Sequence, residues 1–113
     1  MLLPIRTERS GGLFIMKFLA IQDFAAAQNQ TFDLTMGGDT SMPLTLVDVR
    51  PLAATTVAGA VRAPFSLMFR SQSAVVLPQK IYGLRNAVMG ALQVFLVPVA
   101  RDRDGIVYQA VFN

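Results

Sequence analysis

The feature that most constrains this chain is the stretch from Leu92 to Phe112, LQVFLVPVARDRDGIVYQAVF, which predicts two strands joined by a charged turn. Asp104 and Gly105 supply the positive-φ position that a short hairpin loop needs. A small antiparallel sheet usually leaves one face in water, so its strands alternate between apolar and polar residues. Here both faces are apolar, relieved only by Gln93 and Gln109. The second face therefore needs a cover.

Strand-like segments with turn signals between them continue through most of the chain and predict an all-β protein. Their number and spacing indicate a small antiparallel barrel or sandwich of about six strands. In the third segment we expect Phe65, Leu67 and Phe69 to face the core, because they alternate with polar and charged residues. The segments are residues 30–36, 43–50, 62–70, 77–85, 91–99 and 106–112.

The beginning of the chain differs from the rest. We interpret residues 1–18 as an N-terminal arm or extension and residues 19–113 as a single β domain, which one short helix opens. Asp23 would cap that helix, and Asn29 would end it in the left-handed conformation. Lys17 precedes only four apolar residues, too few for a signal peptide. We therefore expect the protein in the cytoplasm or in an assembled particle.

Composition limits the chemistry that this chain can perform. It has no His and no Cys, which removes the commonest general base and the usual transition-metal ligands. Its net charge is +3, but the ten cations are scattered rather than clustered on one element, which does not favour nucleic-acid binding. No apolar run is long enough for a membrane-spanning helix. We expect no metal, no cofactor and no membrane span.

Two short motifs resemble functional sites but have simpler explanations. Asp102 and Asp104 begin like a calcium loop, yet no carboxylate follows Gly105, so turn chemistry explains them better. Ser66 lacks the flanking glycines of a nucleophile elbow, and no His is available to activate it. We expect no catalytic residues and no enzymatic activity.

Several segments occur in a characteristic order: PLTLVDV, APFSLMFR, LPQKIYGL, GALQVFLVPV and the terminal DGIVYQAVFN. Over about residues 19–113 this order resembles a small bacterial family of unknown function, whose members are all-β domains. The resemblance brings no catalytic motif with it. Genes of this family are often annotated near proteins with phage-tail-collar-like domains, which implies an accessory role in a phage-tail-like or surface assembly.

The functional interpretation depends on what packs against the second apolar face of the predicted hairpin. The short helix could cover this face, and so could the segment from Leu13 to Ile21, in which Phe14, Phe18 and Ile21 would share one helical face. Another chain is the third possibility, since a continuous apolar patch usually marks a contact site. We predict a structural module that forms a homo-oligomer or docks on a protein partner. The alternative is a barrel that binds a small ligand. The interface candidates are Phe14, Phe18, Ile21, Leu92, Val94, Leu96, Val107 and Val111.

Overall fold

The computed structural model describes residues 5–9, 13–17, 19–37, 39–53 and 64–112, the first two ranges by their backbone. Six antiparallel strands close into a barrel in the order β3-β4-β5-β8-β7-β6, and one short helix precedes them. The all-β prediction is confirmed, and of its two architectures the barrel is the correct one. The elements are β1 Ile5–Arg9, β2 Leu13–Lys17, α1 Ile21–Ala25, β3 Thr31–Gly37, β4 Thr40–Pro51, β5 Phe65–Ser71, β6 Lys80–Asn86, β7 Gly90–Asp102 and β8 Gly105–Phe112.

Alternate residues of each barrel strand point inward and form the core. β8 shows the pattern most clearly, with every second side chain buried from Ile106 to Phe112. The predicted core residues Phe65, Leu67 and Phe69 have no exposed surface, as expected. Of the alternate residues on this strand, Met68 and Arg70 are half-buried, whereas Ser66 is buried as well.

Helix α1 closes one end of the barrel. Phe24 lies with its ring centroid 5.8 Å from that of Phe65 and 5.2 Å from that of Phe112, and those two rings stack on each other. The helix begins at Ile21, earlier than predicted, so Asp23 lies in its first turn instead of at the cap. There its carboxylate accepts a hydrogen bond from the backbone N–H of Ala20 at 2.8 Å. Asn29 ends the turn with φ of 70°, as predicted.

The connection from β5 to β6 crosses the opposite end of the barrel. Leu77 inserts from this connection into the core, and its backbone N–H donates a hydrogen bond to the hydroxyl of Tyr108 at 3.0 Å. The hydroxyl of Tyr82 in turn donates to the carbonyl of Pro78. The connection is therefore tied to two buried tyrosines. Because residues 77–79 belong to this connection, β6 begins at Lys80 rather than at the predicted residue 77.

The β7–β8 hairpin is longer and its turn tighter than predicted. Asp102 pairs with Gly105, which leaves a two-residue turn, and an irregularity in register lies between Pro98 and Ala100. Gly105 has φ of 128°, and a Cβ there would lie 1.7 Å from the carbonyl oxygen of Ser71. A side chain at this position is excluded by both the backbone conformation and the space.

The seam between β3 and β6 closes the barrel over a short distance. Its registered pairs are Asp33 with Arg85 and Leu34 with Leu84. The seam between β6 and β7, in contrast, pairs every residue from Lys80 to Asn86. The β3–β6 seam therefore has the fewest registered pairs of the barrel.

The segment before the barrel forms a β-hairpin. β1 and β2 pair in antiparallel register from Ile5 with Lys17 to Arg9 with Leu13, and β1 lies beside β7. The helix predicted from Leu13 to Ile21 is therefore wrong, because residues 13–17 are a strand.

Candidate functional site

Three of the interface candidates lie inside the barrel. Leu92, Val94 and Leu96 are at most 3% exposed and belong to the hydrophobic core. Their assignment to the hairpin's second face is therefore corrected. The register explains the correction: Val97 pairs with Gln109 and Pro98 with Tyr108, so the odd-numbered residues of β7 before the bulge share a face with Gln109.

The outward face of the hairpin carries a cluster that we call the outer patch, formed by Phe95, Val97, Val107, Gln109 and Val111. All five side chains are half-buried. Four of them line a shallow depression of about 390 Å³, with Val107 outside it. The sequence identified Val107 and Val111 as candidates but missed Phe95, Val97 and Gln109. The cross-strand register was the signal needed to find them.

The outer patch continues onto β6. Ile81 pairs directly with Phe95 and is 45% exposed. On the other side, Met68 of β5 pairs with Gln109 and is half-buried. Apolar side chains therefore extend across three seams of the barrel, and the polar amide of Gln109 lies among them.

The remaining interface candidates, Phe14, Phe18 and Ile21, precede the barrel in the chain. The side chains of Phe14 and Phe18 lie outside the described residues. Ile21 is half-buried at the start of α1 and packs against the core. Ile21 is not among the residues that line the depression of the outer patch.

Charged groups lie at the edge of the outer patch and pair with one another. Arg70 donates to the carboxylate of Asp102 at 2.8 Å and lies 3.8 Å from that of Asp104. The pKa of Asp102 is lowered, first by the backbone N–H of Asp104 and then by the hydrogen bond from Arg70. Arg50 pairs with Asp48 at 2.6 Å. The patch itself contains no ionisable side chain.

A second depression, of about 310 Å³, lies where the β3–β6 seam opens; we call it the seam depression. Residues 35–37 of β3 and 80–83 of β6 border it, and Leu77 and Pro78 complete it. Among the described residues, no registered pairing joins these two stretches. Lys80 lies with its Nζ 5.2 Å from the ring centroid of Tyr82. Burial, and then the nearby Tyr108, raise the pKa of Tyr82.

The described part of the chain contains no group of three His, Cys, Asp or Glu side chains placed to hold a metal ion. Ser66, which was considered as a nucleophile, is 2% exposed. None of the described helices has the length and apolar character needed to cross a membrane. The outer patch and the seam depression are therefore the candidate functional surfaces.

Comparison with known proteins identifies a family and no function. No curated protein and no solved structure matches the chain. Residues 19–112 match the family described as "Domain of unknown function (DUF6916)", which covers the whole barrel and α1. This agrees with the extent of the resemblance found in the sequence. The chain belongs to the DUF6916 family of domains of unknown function.

Proposed function

We propose that the protein is a non-catalytic assembly module that associates with a second copy of itself through the outer patch. The observation that carries the proposal is the largely apolar outer patch on β7 and β8, which contains no charged side chain and has Ile81 beside it. Single exposed apolar side chains are common on monomers, whereas a contiguous group of them usually marks a contact surface.

The chemistry of Gln109 favours a second copy over an unrelated partner. A side-chain amide both donates and accepts hydrogen bonds, so two Gln109 amides can pair across a two-fold axis. A two-fold interface brings the same surface of each protomer together and therefore requires such self-complementarity. The flanking Phe95 and Val97 would then pack against their own copies as in two stacked sheets.

The outer patch is small for a stable interface. Standard interfaces use roughly 20–30 residues on each side. The patch and its neighbours Ile81 and Met68 supply fewer. The proposed association is therefore weak and depends on protein concentration.

Size exclusion with light scattering over a range of concentrations tests the proposal. The wild type should gain mass with concentration, and Val97→Lys should remain a monomer because a charge cannot be buried unpaired in the interface. Thr35→Lys is the matched control, since Thr35 is exposed on β3 outside the patch and should leave association unchanged. A wild-type monomer at all concentrations would refute the proposal. Association that Val97→Lys leaves intact would assign the contact to another surface.

The alternative, a barrel that binds a small ligand in its interior, lacks a comparable observation. The rings of Phe32, Phe69 and Tyr108 occupy the interior and have no exposed surface. Ligand-binding barrels need an apolar cavity with a few convergent polar groups. We therefore retain the assembly module.

The resemblance noted in the sequence suggests a setting for this module. We propose a phage-tail-like or surface assembly, on the basis of the collar-like proteins encoded nearby in the resembling family. Co-expression with such a neighbouring collar-like protein tests the setting. The two chains should elute together at high dilution, and separate elution would remove this part of the proposal.

A further inference from the structure

The seam depression exposes two strand edges that diverge from each other. Beyond the registered pair Leu34–Leu84, Thr35 and Gly83 remain close: a Cβ built on Gly83 would lie 4.0 Å from the Cβ of Thr35. The registered pairing of β3 with β6 ends at Leu34–Leu84. Both strands nevertheless continue, β3 to Gly37 and β6 back to its first residue, Lys80. Backbone groups on such edges are templates for an additional strand.

The floor of the seam depression is fixed before anything binds. Tyr82 is hydrogen-bonded to the carbonyl of Pro78, and Leu77 is hydrogen-bonded to Tyr108. Both bonds hold the crossing connection against the core. A ligand therefore meets a preformed surface and avoids the cost of ordering it.

The charge of the seam depression selects among extended ligands. Of the described residues that line it, Lys80 alone is charged. Lys80 is exposed, so its ammonium group is available to a carboxylate of a ligand. An acidic side chain is therefore the complementary group.

We propose that the open end of the β3–β6 seam binds an extended peptide segment of a partner protein, with an acidic side chain of that segment beside Lys80. The peptide backbone adds to the strand edges of residues 35–37 and 80–83, in the mode known as β-augmentation. The Ile81 side chain, which borders the seam depression and pairs with Phe95, supplies apolar contact outside the barrel. This site contains none of the five residues of the outer patch, meets it only at the neighbouring Ile81, and goes beyond the proposed self-association.

Titration of the ¹⁵N-labelled protein with a blocked peptide, acetyl-Thr-Val-Glu-Val-Thr-amide, tests the proposal. Amide shift changes should concentrate at residues 35–37 and 80–83. A peptide with Lys in place of Glu should bind at least about tenfold more weakly, since tenfold corresponds to about 1.4 kcal/mol and opposite charges become like charges. A peptide with N-methylated backbone should lose binding, because it cannot complete the strand hydrogen bonds.

Two variants locate the site. Lys80→Glu should weaken binding of the Glu peptide at least about tenfold and reverse the preference between the two peptides. Gly83→Phe should block binding, and its Cβ fits without a clash because the nearest atoms are those of the Thr35 side chain at 4.0 Å. Arg103→Glu is the matched control, because it makes the same charge change on the exposed β7–β8 turn.

Peptide binding at the seam depression can be distinguished from self-association through the outer patch. Val97→Lys should bind the Glu peptide as tightly as the wild type does, whether or not the wild type associates. Absence of binding to the wild type, equal binding of the Glu and Lys peptides, or shift changes confined to other residues would each overturn the proposal.

Discussion

The two faces of the β7–β8 hairpin carry similar apolar side chains but have different environments. Inward, Leu96 and Tyr108 belong to a core with almost no exposed surface. Outward, Phe95 and Val97 are half-buried around the amide of Gln109. Composition does not separate the faces. The difference arises because barrel closure encloses one face and leaves the other outside.

This difference teaches that the apolar character of a strand has two distinct uses. The inner face contributes to the free energy of unfolding, because its surface is removed from water when one chain folds. We propose that the outer face contributes mainly to association. Substitutions on the two faces should therefore change different measurements.

The largest expected effect is on the inner face. Phe69→Ala should lower the free energy of unfolding by about 3–5 kcal/mol, because it removes a buried ring and leaves a cavity. The ring of Phe69 packs edge-on against that of Phe32, with 5.3 Å between the ring centroids. Urea unfolding measures the loss. Phe95→Ala removes the same side chain from the outer face and should cost about 1 kcal/mol or less in dilute protein. Equal losses would abolish the distinction between the two faces.

A smaller effect is expected from the polar tip of an inner residue. Tyr108→Phe removes the acceptor of the Leu77 N–H while it keeps the ring. The unsatisfied buried donor should cost about 1–3 kcal/mol. Gln109→Ala on the outer face is the control, and chemical denaturation of both variants makes the comparison. If Tyr108→Phe is as stable as the wild type, the connection is not held by this bond.

Deletion of the N-terminal hairpin should affect the outside of the barrel and leave its core unchanged. Because β1 lies beside β7, deletion of residues 1–18 should uncover the part of β7 that β1 contacts, which we expect to lie apart from the outer patch, and promote aggregation. Light scattering and thermal melting of the truncated and full-length proteins measure this effect. If both are equally stable monomers, the hairpin covers nothing that matters for solubility.

The smallest effect concerns the ion pair at the edge of the outer patch. Because the folded pKa of Asp102 is lowered, its carboxylate contributes stability above the ordinary value of 3.8, and this contribution is lost as pH falls through the lower folded pKa. Asp102→Asn should therefore flatten the acid limb of the stability profile below pH 3.8. Superimposable acid limbs for Asp102→Asn and wild type would contradict the linkage.

Much of the barrel could be predicted from the sequence, because alternation and turn chemistry are local. The strand with Phe65, Leu67 and Phe69 needed only its own residues to show which side is buried. The left-handed Asn29 likewise followed from local chemistry. The strand at 13–17 was mistaken for a helix because short apolar runs fit both periods.

The candidate site was harder to predict, because it depends on contacts between strands. Within β7, both parities are apolar, so alternation alone could not tell whether Leu92 or Phe95 faces the core. Pairing of Val97 with Gln109 settles that question, and pairing is a long-range property. The seam depression depends on where the pairing of β3 with β6 ends, which no local pattern in either strand marks.

Cross-linking at the outer patch tests the central claim most directly, because the chain has no native Cys. Val97→Cys, treated with a short bis-maleimide, should give covalent dimers whose yield rises with protein concentration. Ala74→Cys, at an exposed position on the connection between β5 and β6, is the matched control and should remain monomeric. Rapid dimer formation at position 97 alone is the predicted result. Equal yields at positions 97 and 74, or no dimer at either, would contradict association through the outer patch.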